Sequence, residues 1–320
     1  VALAMQRWCA GPAKCEFAVM LGDNIYPDGA TEGRDGHDDA ERFRKVLYEP
    51  YAPLAALSEA FRIYVVLGNH DWRTSRAAAM AQVRYLETTR PFYMQGLRYR
   101  VAPTGDPREV EIFAIDTHVM LSDHSILDDA LDDDGREIDS GKIDDTQPWA
   151  LPRDAGEWGQ AEWLEEALAS SPARWKIVIG HHPIWSAAGS KYRQAAMMRR
   201  LILPALCRHA DLYLAGHEHT LEVYTDACKD VPEARGRPPL GEVVSGAAGK
   251  QRPLNSNFAR HQLEAHPELR SLFAQGLTWG FAHLTLTRDE AKVRILAIPD
   301  DASGSPSVAF EHSFARRSGN

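Results

Sequence analysis

No run in this 320-residue chain reaches the roughly 18–20 consecutive apolar residues of a membrane-spanning helix, so no helical span is expected. Positive charge is also short. Lys and Arg number 36 against 45 Asp and Glu, a formal charge of −9, which leaves no basic field for a polyanion. Nucleic acid and anionic membrane surfaces are therefore not expected partners. The first residues, Val1 to Cys9, lack the basic and long apolar segments of a signal peptide and read as an amphipathic helix, as in a mature or truncated start. Apolar residues make up 44% and charged residues 25%, which excludes a disordered or fibrous chain. Composition shows no seam and no internal repeat, so residues 1–320 are read as a single domain.

Cysteine is scarce, and its four copies fit no usual zinc spacing. Cys9 with Cys15 and Cys207 with Cys228 form two sequence-local pairs. Two short disulfide loops would suit an exported protein, periplasmic or secreted; four buried thiols are the alternative.

One pattern recurs four times: four largely apolar residues, then Gly, then side chains able to bind a metal. Ala18-Val19-Met20-Leu21 precedes Gly22-Asp23, and Tyr64-Val65-Val66-Leu67 precedes Gly68-Asn69-His70. Lys176-Ile177-Val178-Ile179 precedes Gly180-His181-His182, and Leu212-Tyr213-Leu214-Ala215 precedes Gly216-His217-Glu218-His219. Such runs, ended by Gly, read as strands buried on both faces of a covered sheet. Amphipathic stretches at Asp38–Tyr48, Ser75–Thr88, Gly156–Ala169 and Lys191–Leu206 supply helices between them, giving an α/β fold. In such folds ligands bind beyond the carboxyl ends of the strands, so the four loops are expected to converge on one rim.

Tyr99–Ala102 and Glu109–Asp116 read as alternating strands around a turn at Gly105-Asp106-Pro107. Trp279–Thr287, Lys292–Ile298 and Val308–Phe314 read as further strands, together suggesting a second sheet packed on the first. Leu121–Asp154 is read as a long surface loop. Its acids lack the ligand spacing of a calcium-binding EF-hand loop.

Singly, each candidate ligand is an ordinary turn, cap or core residue. Together they place a carboxylate, an amide oxygen and three imidazoles at equivalent strand ends, with Tyr26 three residues after Asp23. Mixed oxygen and imidazole donors suit zinc and first-row transition metals. Five or six donors exceed one tetrahedral catalytic zinc, which points to two ions, with Asp23 the only candidate to bridge them.

Gly22-Asp23-Asn24-Ile25-Tyr26, Gly68-Asn69-His70-Asp71, Gly180-His181-His182-Pro183 and Gly216-His217-Glu218-His219 resemble the ordered motif blocks of calcineurin-like metallophosphoesterases. Tyr26 resembles the purple acid phosphatase branch. Similarity to small tartrate-resistant acid phosphatases extends from Val1 to about Phe314, through Pro91-Phe92-Tyr93, Ile115-Asp116-Thr117, Gln160–Leu164 and Val244-Ser245-Gly246-Ala247.

The resemblance implies a four-layer α/β-β/α sandwich of two mixed sheets flanked by helices. Asp23 would bridge two ions, Tyr26 and His219 would bind the first, and Asn69, His181 and His217 the second. A phenolate at Tyr26 favours Fe(III), with Fe, Zn or Mn at the other position. His70 would contact the substrate phosphate and protonate the leaving group. Asp71 would orient it or be structural, and His182, where the family often has Tyr, would have a pocket role. The family also has an earlier strand and a Gly-Asp-x-Gly block supplying another ligand. Nothing before Asp23 matches it, and Gly105-Asp106 is a hairpin turn, so that block and strand are expected upstream of Val1.

The expected activity is hydrolysis of a small phosphoric ester by a hydroxide on the binuclear centre, with water's pKa lowered from 15.7 toward about 7. A phosphomonoesterase of acid-phosphatase type is the leading reading. A phosphodiesterase or nucleotidase on the same centre, or a non-catalytic scaffold lacking the first metal, are the alternatives. Nothing in the sequence speaks to oligomeric state.

Overall fold

A computed structural model describes residues 1–11, 13–33, 39–144, 147–299 and 305–317. Helix α1 (Ala2–Ala10) leads into strand β1 (Ala18–Leu21). Helix α2 (Asp39–Phe43) continues through a π-helical turn at Arg44–Tyr48 into α3 (Glu49–Ala55), followed by β2 (Ile63–Val66) and α4 (Arg76–Thr88). Three short strands come next: β3 (Phe92–Tyr93), β4 (Tyr99–Val101) and β5 (Val110–Ala114). Helices α5 (Thr117–Ser122), α6 (Ala155–Trp158) and α7 (Gln160–Ser170) precede β6 (Trp175–Ile179) and the long α8 (Tyr192–His209). The last third holds β7 (Leu212–Ala215), β8 (Leu221–Asp226), β9 (Leu240–Ser245), α9 (Ser256–Ala265) and β10 (Leu269–Gln275). It ends with β11 (Trp279–Leu286), β12 (Glu290–Ile298) and β13 (Ser307–Ala315).

Local chemistry sets many of these boundaries. Ser75, Asp116 and Asn255 each precede a helix and accept a hydrogen bond from the backbone N–H three residues on, occupying a donor the helix leaves unpaired. The helix expected over Gly156–Ala169 is divided at Gly159, which ends α6 and begins α7. The helix expected from Asp38 begins, among the described residues, at Asp39 and runs on to Ala55. Asp38 itself lies outside the described residues. Most of 123–154 is irregular, as expected, with isolated bridges Leu127–Ile143 and Leu131–Glu137. Asp145 and Thr146 of that loop also lie outside the described residues.

The strands form three hydrogen-bonded sheets among the described residues. One is parallel, in the order β1-β2-β3, with Ala18 opposite Ile63 and Leu21 opposite Val66. The second has seven strands, β10-β8-β9-β7-β6-β5-β4. Its centre is parallel, and β4, β8 and β10 run antiparallel to their neighbours. The third is the antiparallel set β11-β12-β13. The four glycine-ended strands therefore do not share one sheet: β1 and β2 lie in the first, β6 and β7 in the second. Hydrophobic runs identify strands, but pairing partners are chosen by the core between the layers. Similarly, the β4–β5 hairpin joins the large sheet, so β5 is buried throughout rather than alternating.

Two cores fix the layering. One face of the large sheet, through Phe113, Val178 and Tyr213, packs on Leu164 and Leu168 of α7 and Met198, Ile202 and Leu206 of α8. The other face, through Ile112, Ile177 and Leu212, shares a core with Ile63 and Val65 of β2, Val293 and Ile295 of β12, and Val83 and Leu86 of α4. Helix, sheet, sheet, helix is thus the order of layers, the expected α/β architecture with mixed sheets. β1 is half-buried along its length whereas β2 is wholly buried, because β1 is an edge strand whose only described partner is β2.

Both cysteine pairs are disulfides, Cys9–Cys15 and Cys207–Cys228. The second joins α8 to the segment after β8 inside the helix-side core. It closes a separation of 21 residues against 6 for the first. The longer loop restricts the unfolded chain more, so replacing Cys207 and Cys228 by Ser is expected to lower unfolding free energy by about 3 kcal/mol. The Cys9/Cys15 pair is expected to cost less; urea unfolding of both double variants checks the order.

Candidate metal centre

Four strand ends from two facing sheets meet at one place because their exits are tight. Gly22 turns at φ +88, and a Cβ there would lie 2.5 Å from His181 Nδ1. A Cβ on Gly68 would strike the backbone and carboxylate of Asp23. Side chains at either position would hold the loops apart. Asp23 and His217 themselves adopt the left-handed region, at φ +53 and +63, which is uncommon for residues with a Cβ. Such strain persists where the surrounding structure enforces it, often at functional sites.

The result is a cluster of acceptor atoms. Asn69 Oδ1 lies 3.1 Å from His181 Nε2 and 3.1 Å from His217 Nδ1, and those two nitrogens are 3.0 Å apart. Asp23 Oδ1 is 3.3 Å from His181 Nε2. The other oxygen, Oδ2, accepts a 2.9 Å hydrogen bond from the Tyr26 hydroxyl, itself 3.1 Å from His219 Nε2. One carboxylate thus stands between two donor groups, three atoms beside Oδ1 and two beside Oδ2.

The proton arrangement says what the first group needs. His181 Nδ1 lies 2.7 Å from the carbonyl oxygen of Leu21, which only accepts, so Nδ1 carries the hydrogen. That leaves His181 Nε2 facing the oxygens of Asn69 and Asp23. An ion seated among these atoms would take the place of the hydrogen bonds they share. Nitrogen and oxygen ligands about 2.0–2.2 Å from one ion stand roughly 3 Å from each other, the separation seen here. The donor set fits zinc or a first-row transition metal.

The sequence pattern of calcineurin-like phosphoesterases matches residues 2–221. The chain belongs to that family. Mouse tartrate-resistant acid phosphatase type 5 is 28% identical over 314 residues, covering 94% of this chain and 79% of that protein. Purple acid phosphatase 17 of Arabidopsis thaliana is 27% identical over 279 residues, 87% of this chain and 70% of its own length. In fold, the chain superposes on GAP50, described as the anchor in the inner membrane complex of Plasmodium. The TM-score is 0.65 at 16% identity, over 99% of this chain and 83% of that one. Within its family this phosphoesterase is thus similar to purple and tartrate-resistant acid phosphatases.

The phosphoesterase holds its motif loops together with a buried carboxylate. Asp71 accepts hydrogen bonds from the backbone N–H groups of Asn24, Ile25 and Gly68 and from the Gln82 amide. It touches no atom of the His70 ring by hydrogen bond, so its observed part is to tie the first motif loop to the second. Burial, with the charge of Asp23 behind it, pushes the Asp71 carboxyl up to about 6. The His70 ring is fixed differently, by Nδ1 against the Pro27 carbonyl, which leaves Nε2 facing the cluster 3.9 Å from Asp23 Oδ2.

His182 is buried behind the cluster. Its Nδ1 accepts a 2.8 Å hydrogen bond from the Thr117 hydroxyl, and the Thr117 oxygen also accepts from the backbone N–H of His181 and of His182. The Nε2 atoms of His182 and His217 are buried without a partner among the described residues. His181, His182 and His217 each present a ring nitrogen within 4.8 Å of the others. The single-residue reading passed over Thr117, and His118, whose ring stacks 6.1 Å from that of His182. Their one signal was the Ile115-Asp116-Thr117 block. Glu218, between two candidate ligands, is wholly buried and pairs with Arg252 at 2.5 Å. Trp72 and Trp185 are buried core residues.

Burial lowers the affinity of these imidazoles for protons: His217 falls well below the usual histidine range, and His219 falls to about 4, with Arg252 adding to the effect. Burial alone would raise the Asp23 carboxyl, but His181, His217 and His70 outweigh it and hold it at about 2 once they are charged. At neutral pH His217 and His219 are uncharged, leaving a buried carboxylate with no cationic partner among them. Because metal ligands must be deprotonated, bound metal is expected to persist from pH 7 to 5 and to be released as pH falls through about 4. Metal analysis of protein dialysed at each pH checks this. A bound ion in hundredfold excess over Kd is expected to stabilise the fold by about 3 kcal/mol, read as a rise in Tm.

Proposed function

We propose that the protein is an acid-phosphatase-like phosphomonoesterase working at a binuclear metal centre. What supports this most is the convergence of Asp23, Asn69, His181 and His217 acceptor atoms at ion-ligand spacing, beside the Tyr26–His219 pair on the other oxygen of Asp23. Asn69, His181 and His217 would hold one ion, Tyr26 and His219 the other, and Asp23 both. Fe(III) suits the Tyr26 position, because a phenolate favours a hard, highly charged ion; Fe, Zn or Mn suits the second. When bound, such a pair neutralises phosphoryl oxygens and activates water for in-line attack.

The chain's own residues do the rest. The Tyr26 hydroxyl is pushed upward by burial and by the neighbouring Asp23 charge, so it remains protonated until a cation displaces its hydrogen. The two oxygens of Asp23 keep the donor groups at a fixed separation. His70 stands at the edge, its Nδ1 committed to Pro27, so the titrating atom is Nε2, which faces the cluster. Burial lowers its proton affinity, so the proton it would give to a leaving alkoxide is present only on the acid side of neutrality. The sign follows: rate with poor leaving groups falls as pH rises through the His70 pKa.

His70→Ala is expected to retain metal and to lose about 10²–10⁴ in kcat on alkyl phosphates, but far less on p-nitrophenyl phosphate, whose leaving group needs no proton. Equal losses on both would remove the acid role. Metal content gives the second test. About two equivalents with turnover fits the proposal, whereas less than one equivalent without turnover would class the chain as a non-catalytic scaffold on this fold.

A further inference from the structure

The cations around the cluster are not equivalent. Arg73 pairs with Asp28 at 3.6 Å, and Arg252 is held by Glu218 and the Ser190 hydroxyl. Lys250 is exposed and makes no ion pair among the described residues. Its Nζ lies 4.0 Å from the centroid of the Tyr26 ring. The other neighbour of that ring is His70, with centroids 4.4 Å apart. The loop that carries Lys250 is fixed on both sides: Gly280 N–H donates to the Ala247 carbonyl, and Arg252 N–H donates to the His219 carbonyl. A Cβ on Gly249 would lie 3.8 Å from Tyr26 Cε2, so this loop rests directly on the site.

The ammonium is thus attached to a loop fixed on both sides, is uncompensated by any carboxylate among the described residues, and rests on an aromatic ring whose hydroxyl is in the donor cluster. A cation over a ring face is held only weakly at an exposed site and is readily drawn to an anion. Its field reaches His70 and His219, disfavouring a proton on either. We propose that Lys250 is the specificity-determining cation of this centre, adding affinity for a dianionic phosphomonoester over a monoanionic diester. This rests on the phosphoesterase reading above and names the substrate class of that same site. The diester carries one negative charge fewer and an extra ester group where the monoester offers a charged oxygen, so it gains less from the ammonium.

The test compares metal-loaded wild type with Lys250→Met and Lys250→Arg. For p-nitrophenyl phosphate, Lys250→Met is expected to raise KM about tenfold, more than it changes kcat, since a charged hydrogen bond is lost. The KM for bis-p-nitrophenyl phosphate should move far less, and Lys250→Arg should restore most of the loss. Calorimetric titration with inorganic phosphate should show a parallel weakening of about tenfold without reference to turnover. Equal KM changes for the two esters, or an unchanged phosphate Kd, would overturn the assignment. If wild type hydrolyses neither ester yet binds phosphate in a Lys250-dependent way, the phosphatase reading fails while the anion-binding assignment of Lys250 stands.

Discussion

The organisation of this protein depends on one constraint: polar atoms of Asn69, His181 and His217 stand 3.0–3.1 Å apart, with Asp23 3.3 Å from His181, where two facing sheets meet. The surrounding structure enforces this approach. The glycines at 22 and 68 let two loops pass closer than any side chain would permit. Asp23 and His217 accept left-handed backbone geometry to aim their side chains inward. Asp71 then holds the first two loops by accepting several N–H groups at once, so the loop backbones are satisfied while the donor atoms are left for a ligand.

Around that cluster the chain sorts its charges by depth. Burial keeps His217 and His219 neutral into the acid range. Other buried carboxylates are engaged structurally: Glu242 accepts the backbone N–H groups of Ile184 and Trp185, and Glu222 that of Ala187. They fix the loop that follows His181 and His182. Arginines near the site are matched to carboxylates.

The candidate site was unusually legible in the sequence, for a physical reason. A strand that ends abruptly at glycine and presents a ligand-type side chain is a local pattern, and four of them in one chain imply convergence. The resemblance to metallophosphoesterases sharpened this into two donor groups sharing Asp23, and the observed distances group the same residues. What stayed hidden were residues whose part depends on neighbours far away in sequence. Asp71, adjacent to His70, reads either as its orienting partner or as structural, and its carboxylate turns to Asn24 and Gly68. His182, adjacent to His181, turns into the core toward Thr117. Lys250 carries no local signal at all, and only its position over Tyr26 distinguishes it from other exposed lysines.

By itself the sequence determined the α/β class and the four strands that end in glycine and a metal-competent side chain, because each follows from composition and spacing within a few residues, while it left the four cysteines as either two local disulfides or free thiols. The tertiary structure alone decided that the four glycine-ended strands divide between two facing sheets, which carboxylate binds the loops together, and which cation at the rim has no ion pair among the described residues. Those outcomes are set by packing across the core and by long-range hydrogen bonds, where the competing partners lie tens or hundreds of residues apart along the chain.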